Sequence, residues 1–407
     1  MSKQEPAASS TSVSSPSAAS SSAQVTAMND AGLAEADFAR LSDVFARHLS
    51  TASGGMAFAV YRGGEPVVRL YGGTTSRCQA GQQPSAAWTP ETLAVLFSGT
   101  KGLVATVAAI LVDQGRLDVR APVTEYWPEF SAGGKENVRV FHLLSHSVGL
   151  PYVDPEPEGE WGFLDNAANA TALAAQVPLW IPGEKVAYHA STYGNLMNEV
   201  FLRVTGKSAG MLISELLATP LGLDVWLGLP EEQDDRVAAT FKADDYAIST
   251  FLKDPERRKI VDRMYRAMLL TEKDVFNSVE MRRAEMAGGG AIGSADAMAS
   301  LYSRIVDPGS GLVSASTLRD ATQTWSEGLD TINDRPLRFG LGYELDDPIG
   351  TYGPVRPAFG HSGAGGGLHG AWPERGFGFS FLTNEMLAEN KDSRVKDLLA
   401  VLADIDL

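Results

Sequence analysis

Between Leu96 and Gly102 the chain reads L-F-S-G-T-K-G, and a long apolar stretch, Leu103 to Val112, follows at once. Ser98 and Lys101 stand three residues apart, so on a helix they share one face. A lysine entering apolar surroundings loses the hydration that stabilises its charge. Its pKa falls, and the neutral amine can accept a proton. Serine is a weak nucleophile until such a neighbour takes its proton. If the helix begins at Ser98, the backbone N–H of that residue also lies where negative charge is favoured. The tetrapeptide alone decides nothing. S-x-x-K recurs about once or twice by chance in a chain of this size, and a serine at a helix start is ordinarily a cap.

Two further stretches carry residues capable of chemistry. Pro182 to Leu196, P-G-E-K-V-A-Y-H-A-S-T-Y-G-N-L, leads from a Pro-Gly turn to Tyr188 and on into a helix. A tyrosine at such a junction can pass protons, the more so beside a lysine that favours its phenolate. Read alone, Tyr188 and Tyr193 are half-buried packing residues. Phe359 to Leu368, F-G-H-S-G-A-G-G-G-L, sets a His-Ser pair before a run of glycines. Glycine in a strand lets a ligand or another backbone approach closely, and an edge strand with open N–H groups could supply an oxyanion donor. Gly360 to Ala364 nearly fits the G-x-S-x-G nucleophile elbow. Its last position is alanine and no helix follows the serine, so that motif is rejected.

The elements that must position these residues read as α+β. Asp30 to Leu49 has the spacing of an amphipathic helix, and Met56 to Gly73 reads as a hairpin around Gly63-Gly64. Two more strands are expected in F-G-H-S-G-A-G-G-G and G-F-G-F-S-F-L-T-N, and a last amphipathic helix from Asp392 to Ala403. Between the ends the pattern is helical: Gly99 to Gly115, Val140 to Ser145, Tyr193 to Thr205, Ser208 to Ala218 and roughly Asp254 to Met268. The expected architecture is an antiparallel sheet flanked by N- and C-terminal helices, with a mostly helical inserted lobe. Residues 1–27, rich in Ser and Ala, read as a disordered tail. Residues 28–407 form one catalytic domain, with an α/β lobe at 28–97 and 290–407 and a helical lobe at 98–289. A cleft between the lobes would place Ser98 at its mouth.

Composition narrows the classes. The 407 residues are 44% hydrophobic and 21% charged with a net charge of -16, an acidic balance that argues against nucleic acid and anionic membranes. A single cysteine, Cys78, allows no internal disulfide and points to a reducing compartment. The six histidines show no metal-ligand spacing. No apolar h-region of a secretory signal and no span-length apolar run is present, so the reading is cytoplasmic.

Taken in order, the three stretches resemble the serine β-lactamase-like hydrolases of class C type, with their family VIII carboxylesterase and D,D-peptidase relatives. F-S-G-T-K-G-L-V-A resembles the family's nucleophile helix. L-L-S-H-S-V-G-L-P, Leu143 to Pro151, resembles its "LLSHTSGLP" signature. P-G-E-x-x-x-Y followed by V-T-G at Val204 to Gly206 resembles its tyrosine segment, and G-H-S-G-A-G-G its third motif. The resemblance spans about Met56 to Met386. It implies Ser98 as acylated nucleophile, Lys101 as its proton-accepting neighbour and Tyr188 as the acid/base that also activates the deacylating water. It further implies an oxyanion hole from the N–H groups of Ser98 and Ala364. His361 would take the cationic or donor position, with Ser362, Gly363 and Trp372 also against substrate. Ser145 and His146 are read as structural, a buried histidine bonding to a turn.

Departures from the pattern matter. The family's Tyr-x-Asn reads Tyr188-His189-Ala190 here, and histidine replaces the lysine of the third motif. Both weaken a grip on β-lactams. The reading is therefore a serine carboxylesterase acting on small or short-chain esters through an acyl-enzyme, with weak β-lactam hydrolysis and without metal or cofactor. An acyltransferase on the same three residues is the alternative, and a non-catalytic penicillin-binding-like protein the less favoured one. The loops Tyr152 to Trp180 and Leu229 to Ala287 would shape the cleft, and the oligomeric state is left open.

Overall fold

The hairpin forms from Met56–Arg62 and Glu65–Gly72. Gly63 and Gly64 hold φ of 57° and 87°, the left-handed pair that a tight two-residue turn requires. In the computed structural model, which describes residues 25–77 and 86–405, this hairpin lies in a nine-stranded antiparallel sheet. Across the sheet the strands run Val25–Met28, Glu65–Gly72, Met56–Arg62, Phe377–Thr383, Leu368–Trp372, Phe359–Ser362, Glu344–Leu345, Pro336–Phe339 and Ser326–Leu329. Three residues of the strand Val25–Met28, Val25 to Ala27, fall in the stretch read as a tail. The strand pairs with the hairpin, Ala27 opposite Leu70, and so starts the fold earlier than expected. The rest of the tail and Cys78 lie outside the described residues.

Alternation along the strands sends side chains to two different layers. Phe58, Val60, Phe379 and Phe381 pack with Leu41 and Phe45 of the helix Glu35–Leu49 and with Leu398 and Leu402 of the helix Arg394–Ala403. Ala57, Ala59 and Ala371 face the other way, toward the helices Ala295–Val306 and Thr100–Asp113. The first of these was not foreseen; Ser294 caps it by accepting the N–H of Ala297. It lies so close to the sheet that a Cβ on Gly378 would come within 2.2 Å of the Ser303 backbone nitrogen. The architecture is α+β, and residues 97–289 between the two sheet-forming ends are mostly helices and turns. Thr100–Asp113 is buried on all sides from Thr100 to Leu111.

No helix among the described residues is long and apolar enough to cross a membrane.

Candidate active site

Ser98 occupies a single 3-10 turn, Phe97–Gly99, that leads into the buried helix. Phe97 holds φ 48°, a left-handed backbone that costs a bulky residue roughly 1–2 kcal/mol. The turn is held by Thr100, whose hydroxyl donates to Phe97 O at 2.7 Å and accepts the N–H of Ala291 at 3.0 Å. At its place in the first turn the Ser98 N–H has no intrahelical acceptor.

Lys101 is wholly buried behind this turn. Its Nζ donates to the carbonyl oxygens of Ala190 (2.7 Å) and Gly288 (2.6 Å) and stands 3.2 Å from Ser98 Oγ. Burial holds its pKa well below the ordinary lysine value. A neutral amine has two hydrogens and one lone pair. The two carbonyls take the hydrogens, which leaves the lone pair for the serine hydroxyl. Neither carbonyl could be found by residue type. The Met286–Gly290 run M-A-G-G-G was the available sign: a Cβ on Gly194 would come within 2.0 Å of Gly288 N, so the two segments meet backbone to backbone.

Tyr188 lies beside the pair, its ring 4.8 Å from Lys101 Nζ. Burial pushes its phenol far up, only partly offset by its hydrogen bond with Ser98, so it is a phenol and not the phenolate that the sequence suggested. Its segment is clamped from two sides. His146 Nδ1 accepts the N–H of His189 at 3.0 Å, and His146 O accepts that of Ala187 at 3.2 Å. Opposite, Asp330 Oδ2 accepts the N–H of Tyr188 itself at 3.1 Å. Asp330, a buried carboxylate 142 residues along the chain, was invisible to sequence reading.

The third stretch forms the strand Phe359–Ser362 and a glycine turn after it. Gly363 N–H donates to Gly367 O at 2.8 Å and Gly366 N–H to Gly363 O at 2.9 Å, closing a loop around Ala364. A Cβ on Gly365 would fall 2.3 Å from a ring carbon of Phe97. Only glycine lets this loop rest against the turn that holds Ser98, and it brings Ala364 to the same cavity.

Two expectations change here. His361 is buried, and its Nδ1 donates to Ser362 O at 2.9 Å, since a carbonyl can only accept. Burial pushes its pKa down to about 4, so at neutral pH it offers no cation. Ser362 gives both its N–H (3.1 Å) and its hydroxyl (2.8 Å) to Glu344, which is paired in turn with Arg335 at 2.9 Å. Trp372 does not line the cleft at all. It is fully buried on the opposite face of the sheet, where Nε1 donates to Tyr352 O at 2.8 Å and the ring packs on Phe379.

Ser98, Tyr188, His361 and Ala364 border one cavity of about 500 Å³. Among the described residues no group of His, Cys, Asp or Glu is placed to hold a metal ion. A model of the beta-lactamase family matches residues 38–403. The chain belongs to the beta-lactamase family. Within it, the chain is 35% identical to the esterase/beta-lactamase LipL of Mycobacterium tuberculosis over 82% of this chain and 78% of that protein. A penicillin-binding protein homolog from Caulobacter crescentus superposes with a TM-score of 0.82 at 32% identity, covering 94% of this chain and 99% of that one. A family VIII carboxylesterase superposes with 0.81 at 30% identity over the same shares. The protein is a serine hydrolase of this beta-lactamase family.

Proposed function

We propose that the protein hydrolyses carboxylic esters by acylation and deacylation of Ser98. The observation that carries this reading is the set of three partners around Lys101 Nζ: two carbonyls and the Ser98 hydroxyl. Ser98 Oγ attacks the carbonyl carbon as its proton passes to the Lys101 lone pair. The negative charge that builds on the carbonyl oxygen is met by the N–H groups of Ser98 and Ala364, a contribution of about 10²–10³-fold per donor. The C–O bond then breaks, and Tyr188 gives its phenolic proton to the departing alkoxide. The Lys101 ammonium restores the proton to Tyr188. Water then attacks the acyl carbon as Lys101 takes its proton, and that proton passes to Ser98 Oγ as the acid leaves.

Esters suit this site better than β-lactams. In the position after Tyr188, both ring nitrogens of His189 are engaged, one with Leu150 N–H at 2.9 Å and one with Ala187 O. Ala190 brings no side-chain amide, and His361 brings no charge for a carboxylate. The name of LipL couples esterase with beta-lactamase; here we expect β-lactam turnover to be the minor activity.

The test is release of p-nitrophenol from p-nitrophenyl esters by the wild type and by Ser98→Ala, with mass spectrometry of the acylated protein. Steady release and a Ser98 adduct, both absent in Ser98→Ala, support the reading, and equal release from both proteins ends it. An added alcohol that diverts the acyl group into a new ester would mark the same site as an acyltransferase.

A further inference from the structure

The cavity at Ser98 has walls of two kinds. At about 500 Å³ it falls in the roughly 300–1,000 Å³ range of pockets that enclose a drug-sized molecule. An acetyl or butyryl group would leave most of it empty. One wall is built by Phe97, Tyr265, Met268, Leu269, Phe276 and Met286. It begins at the nucleophile: Phe97 precedes Ser98, and its ring centre stands 4.6 Å from that of Phe276. The lining residues between 246 and 289 include no charged side chain. Methionines in such a wall adapt to ligands of irregular shape.

The charged lining residues come from 330–344 and 389–396 instead, and two of the three cations there are paired with carboxylates. Arg335 pairs with Glu344 at 2.9 Å, Lys391 with Asp245 at 2.5 Å, and Lys396 donates to Ile349 O at 3.3 Å. The cavity thus joins a wide apolar wall, starting at the reactive serine, to a wall on which four carboxyl groups, those of Asp330, Glu344, Glu389 and Asp392, outnumber three cations.

We propose that the substrates this site is built for are uncharged esters carrying a bulky apolar group, a medium-length chain or an aromatic ring, that lies along the Phe97–Phe276–Met268 wall. This rests on ester hydrolysis at Ser98, and it differs from the small or short-chain esters expected from sequence. Each methylene laid on the wall raises kcat/KM by up to about fourfold, the worth of one buried CH₂.

The experiment uses two series on the wild-type chain: p-nitrophenyl acetate to octanoate, and acetates of methyl to octyl alcohol. A rise of at least tenfold along the first series places the apolar group on the acyl side; along the second, on the alcohol side. Flat or falling values in both series overturn the proposal. An ω-carboxylate on the longest acyl chain should cost at least tenfold, and no cost would remove the requirement for an uncharged ester. Met268→Trp, which fills part of the cavity, should lower the octanoate-to-acetate ratio at least tenfold, and an unchanged ratio would remove Met268 from the wall that holds the chain. Val279→Trp, on a residue 57% exposed and away from the cavity, should leave the ratio alone. Calorimetry of Ser98→Ala with octanamide and acetamide reads the wall without turnover. At least tenfold tighter octanamide supports the wall even if no ester is turned over, in which case only the proposed reaction falls; equal affinities reject the wall.

Discussion

Lys101 and Lys135 are both wholly buried, and among the described residues neither forms an ion pair. Lys135 Nζ donates to three carbonyl oxygens, those of Ala132, Ala174 (3.0 Å) and Gln176. Lys101 donates to two, and its third neighbour is a hydroxyl. An ammonium has three hydrogens and an amine two. Three carbonyls therefore suit a cation, while two carbonyls and a hydroxyl suit a base. Burial lowers both pKa values: Lys135 only to about 8, still charged at neutral pH, and Lys101 well below the ordinary value. The same side chain is a structural tie in one place and the proposed general base in the other: burial lowers Lys101 further, and the Ser98 hydroxyl stands where Lys135 has a third carbonyl.

The largest effect should come from breaking that difference. Lys101→Met, and equally Lys101→Arg, whose guanidinium does not lose its proton, should lower kcat/KM for esters by about 10³–10⁴-fold, the upper part of the range for proton transfer catalysis. Lys135→Met should leave kcat/KM within about threefold. It should lower the melting temperature, because carbonyls left unpartnered cost about 1–3 kcal/mol each. Thermal scans and ester assays on the three proteins decide the matter. A Lys135 variant that stays folded but is inactive, or an active Lys101→Arg, would refute the comparison.

Tyr188→Phe comes next, and it asks where the proton on Lys101 goes. The loss should be about 10²-fold for alkyl esters, whose alkoxide must be protonated to leave. It should be much smaller for p-nitrophenyl esters, whose phenolate departs unaided. An equal loss for both would remove Tyr188 from the leaving-group step.

The pH profile sharpens the same contrast. The competent form has Lys101 neutral, so protonation abolishes activity: kcat/KM should fall about tenfold per pH unit below the lowered pKa of Lys101 and be level above it. Tyr188, raised far by burial, stays protonated and adds no alkaline limb to that plateau. Lys135→Met should show the same acidic limb as the wild type. An acidic limb that moved with Lys135 would show that the assignment of the base is wrong.

Much of this was legible in the residues. Ser98 and Lys101 share a face because helical spacing demands it, and the hairpin at Gly63-Gly64 and the terminal helices follow from local pattern. The acceptors that decide the state of Lys101 were not legible. They are main-chain oxygens of Ala190 and Gly288, and a carbonyl carries no mark of residue type. Asp330 was hidden by distance along the chain. Trp372 was misplaced for a different reason. The strand Leu368–Trp372 had not been recognised, and alternation along it puts Leu368 and Trp372 with the terminal helices and Ala371 with the inner layer. Once the strand is known, parity alone assigns the tryptophan to the far face.

The smallest effect tests whether the clamp on Tyr188 matters to the Ser98–Lys101 pair. His146 was read as structural, and it holds the backbone on both sides of Tyr188 from a left-handed φ of 58°. Burial keeps its ring neutral, which preserves Nδ1 as an acceptor. His146→Ala removes that acceptor and leaves the backbone strain. The Tyr188 hydroxyl should then drift, and kcat should fall about tenfold with KM little changed, since small misplacements cost rate before they cost binding. His146→Asn offers an amide oxygen near the place of Nδ1 and tolerates the left-handed backbone. It should recover most of kcat if the clamp acts through that one bond, whereas equal losses in Ala and Asn would assign the effect to the lost ring contacts with Tyr188 and Tyr193.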